Sequence, residues 1–245
     1  MAGQMQLTFL LVIVACTVRG TPLIDEQNHI FSDEITANLD KTIDALLPSI
    51  REFILKNGMD PLRIIDLSEH IFPNLPGKLK GSVDLKKGWV QNLSLVKRTS
   101  HVSVIYKPKH LTLDMNMGFD VMDFNYEYYL KYLLYKRQGD VYGRFYNLDV
   151  NVVMMIDLNE YQLILHSIKF SNVGKYDIKF EGHLLDPLVN ILSKIITVVF
   201  RGCILPVIEE YAMTIFGAKV NEWNTKIPRA NRTEIIDRLF HIAKI

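Results

Sequence analysis

Cysteine is nearly absent from this 245-residue chain, which holds only two. Cys16 lies in an apolar run near the start, so Cys203 has no partner for an internal disulfide and stability has to come from a buried core. An excess of either charge is also missing: 28 Lys and Arg stand against 27 Asp and Glu, which argues against nucleic acid or other polyanions as partners. Chemical motifs are missing too. The histidines form no H-E-x-x-H, there is no G-x-S-x-G elbow, and Gly77-Lys78-Leu79-Lys80-Gly81 lacks the spacing of a phosphate loop. His101 and His110, across an expected turn, read as a surface pair rather than a metal site, and Asp114, Asp120 and Asp123 read as solvated strand positions. No catalytic residue, metal ligand or cofactor site is therefore assigned. Hydrophobic residues are plentiful at 49%, which excludes a disordered chain.

The run Leu7–Cys16 is too short to span a bilayer, and Val18 and Gly20 are small residues spaced for cleavage before Thr21. Residues 1–20 are read as a secretory signal peptide, 21–224 as one domain, and 225–245 as a polar tail ending in a short amphipathic helix through Ile235, Ile236, Leu239 and Phe240. The expected location is extracellular. Loss of Arg19 with the leader leaves the charges balanced. Two sequons, at Asn92 and Asn231, are candidate glycosylation sites, Asn231 being the better placed in a polar, Pro-containing stretch. Cys203 reads as a buried inert thiol.

What is present is dominated by one helix. From Leu184 to Trp223 apolar residues cover most of the circumference, with Asp186, Asn190, Lys194, Thr197 and Arg201 confined to a narrow stripe. Asp186-Pro187 supplies a start signal, and Gly202 with Pro206 is expected to bend the rod. Such a helix needs wrapping by the rest of the chain. A first helix is expected from Ser32 to Asn57, kinked at Pro48 and stopped by Gly58. From Lys78 to Phe180 the period falls to two, giving about eight antiparallel strands in a meander. Leu111–Val121 and Phe124–Leu134 are taken as separate strands, and Lys86-Lys87-Gly88, Lys107-Pro108, Gln138-Gly139-Asp140, Asp157-Leu158-Asn159 and Asn172-Val173-Gly174 as turns.

Of the 11 tyrosines, Tyr126, Tyr128, Tyr129, Tyr132, Tyr135, Tyr142 and Tyr146 cluster in one hairpin. They fit cross-strand packing or the wall of a pocket for an apolar ligand with one polar end, and both readings stay open. Met115 and Met117 fit either core filling or an adaptable lining.

Four stretches, FSDEITANLDKTIDALL, DPLRIIDLSEH, GKLKGSVDLKKGWVQNLSLVKR and LLDPLVNILSKIITVVF, carry a resemblance to the group-7 mite allergens and their arthropod relatives. These are similar in turn to bactericidal/permeability-increasing proteins and to insect takeout and juvenile-hormone-binding proteins. The resemblance implies an α+β super-roll: a strongly curved antiparallel sheet wrapped around the C-terminal helix, with the N-terminal helix alongside and an apolar cavity for lipid-like ligands. The N-terminal disulfide of takeout and hormone-binding relatives has no counterpart here, which favours the allergen-like branch. The leading expectation is a secreted, non-enzymatic carrier or sensor of a hydrophobic small molecule or lipid. Its candidate lining is Leu39, Ile43, Leu46, Ile50, Met115, Met117, Tyr126, Tyr128, Ile195, Val199 and Phe216. The alternative is an innate-immune module binding bacterial lipid or membrane surfaces, with peripheral membrane contact at one end of the roll. Oligomeric state is left open.

Overall fold

The computed structural model describes residues 28–72, 81–107, 109–182, 184 and 186–226; the expected signal peptide, Asn231 and all but the first two residues of the tail lie outside them. Helix α1 spans Asn28–Lys56, beginning a turn ahead of the expected Ser32 and running through Pro48. It stops as expected before Gly58, whose φ of 66° suits a residue without a Cβ. Among the described residues nine strands follow in one antiparallel sheet: β1 Leu62–Arg63, β2 Leu67–Ile71, β3 Gly81–Gln91, β4 Lys97–Arg98, β5 Ser103–Lys107, β6 His110–Tyr132, β7 Tyr135–Asp157, β8 Gln162–Val173 and β9 Tyr176–Phe180. The C-terminal rod consists of α2 Asp186–Val199, a π-helical turn Phe200–Ile204 and α3 Leu205–Lys226.

The sheet is not a simple meander. β6 and β7 form a central hairpin of 23 residues per strand. β3, β4 and β5 pair with successive stretches of β6, and β8 and β9 share the outer edge of β7. Several expected turns lie inside strands. Gln138-Gly139-Asp140 belongs to β7, and Lys86-Lys87-Gly88 is a bulge in β3, where the register with β6 shifts between Lys86 and Trp89. Leu93–Leu95, expected in a strand, forms a 3₁₀ turn.

The two expected strands Leu111–Val121 and Phe124–Leu134 are one strand whose alternation slips phase. Odd positions face inward from Leu111 to Phe119 and even positions from Met122 to Leu130. Asp120 and Asn147 are missing from the ladder at that point, with Asn147 at φ 53°. The slip occurs in both strands at once, so the register is kept from His110↔Asp157 to Tyr132↔Tyr135.

The rod lies against the inner face of the curved sheet. Phe200 is fully buried, stacked on Phe145 at 3.7 Å between centroids and 5.4 Å from Phe124. Gly143, paired with Phe124, makes this possible: a Cβ there would come within 1.8 Å of the Phe124 ring. At Gly202, where a bend is expected from the sequence, the rod passes through the π turn, in which the Leu205 N–H donates to the Phe200 carbonyl. Pro206 has no N–H to donate to the preceding turn, and the wide turn absorbs that loss. Two side chains of α3 satisfy the backbone of β8. Asn224 both donates to the carbonyl and accepts from the N–H of Leu163, at 2.8 Å each, and Glu209 accepts from Phe170 N at 2.7 Å.

The wrapping is one-sided. Leu188, Leu192, Ile196, Val199, Phe200, Ile204 and Ile208 are buried, but Val198 is 71% exposed. The rod Pro187–Lys226 is long and apolar enough to cross a membrane by composition, and only 39% of its most apolar stretch is buried in the fold.

Candidate functional site

The inner face of the sheet, the rod and α1 enclose one continuous apolar core. Helix α1 presents Leu39, Ile43, Leu47 and Ile54 to it at helical spacing. It is fixed to the sheet by a polar clamp around Asp40, the one buried charged side chain among the described residues. Asp40 accepts from Val102 N at 2.8 Å and lies 2.5 Å from His101 Nδ1 and 3.3 Å from Arg98 Nη1. Arg98 also forks onto Asp44, one turn along, at 3.0 and 2.7 Å. Burial works against the charge on Asp40, but the bonds from His101 and Val102 and the nearby guanidinium outweigh it and hold its pKa below the ordinary value. His101 therefore faces α1 and not His110, which lies 3.7 Å from Asp157 at the other end of its strand pair.

The expected lining residues fall into two groups. Leu39, Ile43, Met115, Met117, Tyr126, Tyr128 and Val199 are buried. Leu46, Ile50, Ile195 and Phe216 are half-buried and pack against the core from its margin. The helices meet where Phe53 approaches Phe216, 5.1 Å between ring centroids, and where the Tyr211 hydroxyl points at the Asn57 carbonyl at a long 3.4 Å. Two open hollows lie on the surface among the described residues. One of about 380 Å³ lies between the end of β8 and the π turn, lined by Phe170, Val173, Arg201, Leu205, Pro206 and Glu209 among others. The other, about 240 Å³, lies on the hairpin beside Leu130 and Arg137.

Tyr126 and Tyr128 offer the interior rings rather than hydroxyls. Tyr126 donates to the Ile65 carbonyl at 2.9 Å and Tyr128 to that of Glu181 at 2.8 Å. Burial pushes the Tyr126 phenol well up. Gly88 in the β3 bulge makes room for Tyr126, since a Cβ there would lie 2.2 Å from its ring. Tyr142 is exposed and Tyr146 half-buried, its hydroxyl donating to Asp177 at 2.9 Å. The aromatic centre of the inner face, Phe124, Phe145 and Phe200, was not among the expected lining; the signal for it was Gly143, a glycine inside a strand that a ring has to cover.

The acids weighed for chemistry are engaged elsewhere. Asp114 accepts from Asn151, Asp120 pairs with Lys97, and Asp123 takes a bidentate bond from Arg144. No group of three His, Cys, Asp or Glu positioned to hold a metal occurs among the described residues. Cys203 is half-buried and free rather than fully buried. At the Asn92 sequon, the Asn92 side-chain amide donates to Asp123 at 3.0 Å and the Ser94 hydroxyl to Asp60 at 2.5 Å, so both side chains are held within the fold.

No curated protein matches this chain. Among solved structures it is similar to a lipopolysaccharide binding protein, with 13% identity and a TM-score of 0.43 over 69% of this chain. The match covers 35% of that protein, so the chain spans about a third of its length. It is also similar to Takeout 1 of Epiphyas postvittana, with 16% identity and a TM-score of 0.33, over 84% of this chain and 92% of that one. The family model described as Group 7 allergen matches residues 38–219, most of the sequence, and the chain belongs to that family.

Proposed function

We propose that the protein is a secreted, non-enzymatic binder that carries or senses a hydrophobic small molecule or lipid between the inner sheet face and the two long helices. The observation that carries this reading is the seam between α1 and the rod. Phe53 and Phe216 meet there, both half-buried, and Leu46, Ile50 and Ile195 stand half-buried elsewhere on the same helices, while the side of α1 facing the sheet is pinned by the Asp40 clamp. A half-buried apolar margin gains most from a chain that completes its burial, and each methylene buried contributes about 0.8 kcal/mol. A ligand with ten methylenes would supply roughly 8 kcal/mol before ordering costs, which sets micromolar affinity as the upper bound for a chain of that length. The hydroxyls of Tyr126 and Tyr128 are already bonded to carbonyls, so the ligand is held by apolar contact and needs no salt bridge. The seam opens by a shift of α1 relative to the rod, to which it is joined by little besides the Phe53–Phe216 contact and one long hydrogen bond.

The test is organic extraction of protein from its natural source followed by mass spectrometry, with uptake of a fluorescent fatty acid by purified protein. A co-purifying lipid, and uptake reduced severalfold by Ile50→Asp or Phe216→Asp, support the proposal. Absence of both a bound lipid and any uptake overturns it.

A further inference from the structure

The closed end of the central hairpin carries three local features that each work against stability in water. The first is apolar exposure. Leu133 and Leu134 form the two-residue turn between Tyr132 and Tyr135, and they are 55% and 99% exposed, the latter the most exposed large apolar side chain among the described residues. The second is backbone conformation. Leu133 takes φ 53°, in the left-handed region that hairpin turns normally assign to Gly, Asn or Asp. Leucine is therefore not what the turn asks for. The third is charge. Lys131 and Lys136 stand directly opposite each other, a repulsive cross-strand pair, and Arg137 follows. None of the three cations pairs with a carboxylate among the described residues; Arg137 lies instead over the Tyr135 ring at 5.0 Å. The next acids along the ribbon, Glu127 and Asp140, face each other further back, and Glu127 is bound to Lys87.

Lysines beside an unpaired strand end are ordinary protection against edge pairing. The leucines between them undo that protection and call for a different partner. The order along the ribbon is apolar apex, then a tyrosine pair, with Tyr132 packed 5.2 Å from Phe72, then three cations. The same order, read from the acyl region outward, describes a bilayer interface: apolar side chains enter the acyl boundary, tyrosines sit at headgroup level, and Lys and Arg meet anionic lipid phosphates.

We propose that this tip, residues Lys131–Arg137, docks the protein on the surface of an anionic phospholipid bilayer by inserting Leu133 and Leu134. Anionic headgroups relieve the Lys131–Lys136 repulsion, and the interface covers the two leucines. The tip is a separate site from the proposed interior seam, since Leu133 and Leu134 do not belong to the core.

The experiment uses the full chain and vesicles of phosphatidylcholine alone or mixed equally with phosphatidylglycerol. Co-sedimentation with the anionic vesicles is expected, falling as salt is raised. Leu133→Asn with Leu134→Asn, a pair that suits the turn, is expected to weaken it about tenfold or more, with fatty-acid uptake unchanged. Lys131→Gln, Lys136→Gln and Arg137→Gln together are expected to abolish the preference for anionic over neutral vesicles. Should the leucine variant fold poorly, Leu134→Trp reports directly: its fluorescence shifts to the blue on anionic vesicles if the apex inserts. The proposal is overturned by a wild-type chain that ignores anionic vesicles, by a folded leucine variant that binds as well as wild type, or by a tryptophan at 134 that stays in water. Loss of vesicle binding with intact fatty-acid uptake, and the reverse, separate this site from the seam.

Discussion

The two long helices flank one core and are held to it by opposite means. Helix α1 is amphipathic in the ordinary way: an apolar row of Leu39, Ile43, Leu47 and Ile54, with Asp40 and Asp44 beside it gripping Arg98, His101 and the Val102 backbone. The rod from Asp186 to Lys226 is apolar nearly all round, yet the sheet takes only the face carrying Leu192, Ile196, Phe200 and Ile204. Polar side chains position α1; α2 and the π turn are set chiefly by apolar and ring packing, with one long bond from Arg201 to the Val173 carbonyl and shorter ones from Glu209 and Asn224 further on in α3. Apolar circumference measures how much of a helix wants to be covered, and only the partner surface decides how much is.

If packing alone holds the rod, Phe200→Ala is the most damaging single change. It empties a fully buried site between Phe124 and Phe145, and the expected loss is about 3–5 kcal/mol by denaturant unfolding. Gly143→Ala attacks the same cluster from the sheet side. Its Cβ would meet the Phe124 ring at 1.8 Å, and that ring is trapped by Phe145 and Phe200, so a loss of about 2–3 kcal/mol is expected.

If the clamp holds α1, Asp40→Asn should cost about 1–3 kcal/mol, because His101 loses its charged partner and Arg98 one of its two. Its pH dependence separates the clamp from simple packing. The Asp40 pKa is lowered in the fold from the ordinary 3.8. The carboxylate's contribution is thus fully present above that value and is lost as pH falls through the lower folded value. Melting temperatures of wild type and Asp40→Asn, measured from neutral to acid pH, are expected to converge below about pH 4. A gap that persists unchanged into acid would remove the charge from the account. The same acid series on Phe200→Ala should leave its gap intact.

Much of this contrast is legible in the sequence. The spacing of Leu39, Ile43 and Leu47 marks the inner face of α1, Asp186-Pro187 marks the start of the rod, and the period-two run marks the antiparallel sheet. Less legible were features that depend on two strands at once. The phase slip at Asp120 and Asn147 imitates a strand break in one sequence while being a matched irregularity in both. Gln138-Gly139-Asp140 has turn chemistry but sits inside β7, whereas the real turn at Leu133-Leu134 has none. The extent of coverage of the rod is illegible for a different reason: it depends on the curvature of the sheet, which no local pattern encodes.

The smallest expected effect tests that last point most directly. Val198 and Leu192 are both apolar residues of α2, one 71% exposed and one fully buried. Leu192→Lys places an unpaired ammonium in the core and is expected to prevent folding or to cost well over about 3 kcal/mol. Val198→Lys trades one exposed side chain for another with better helix propensity, so a change within about 0.5 kcal/mol is expected. A large loss from Val198→Lys would mean that this face of the rod is covered in solution, and the rod would then be gripped on both sides, as its composition first suggests. A negligible loss leaves the asymmetry standing, with α1 pinned by charge and the rod held along one face by Phe200 and its neighbours.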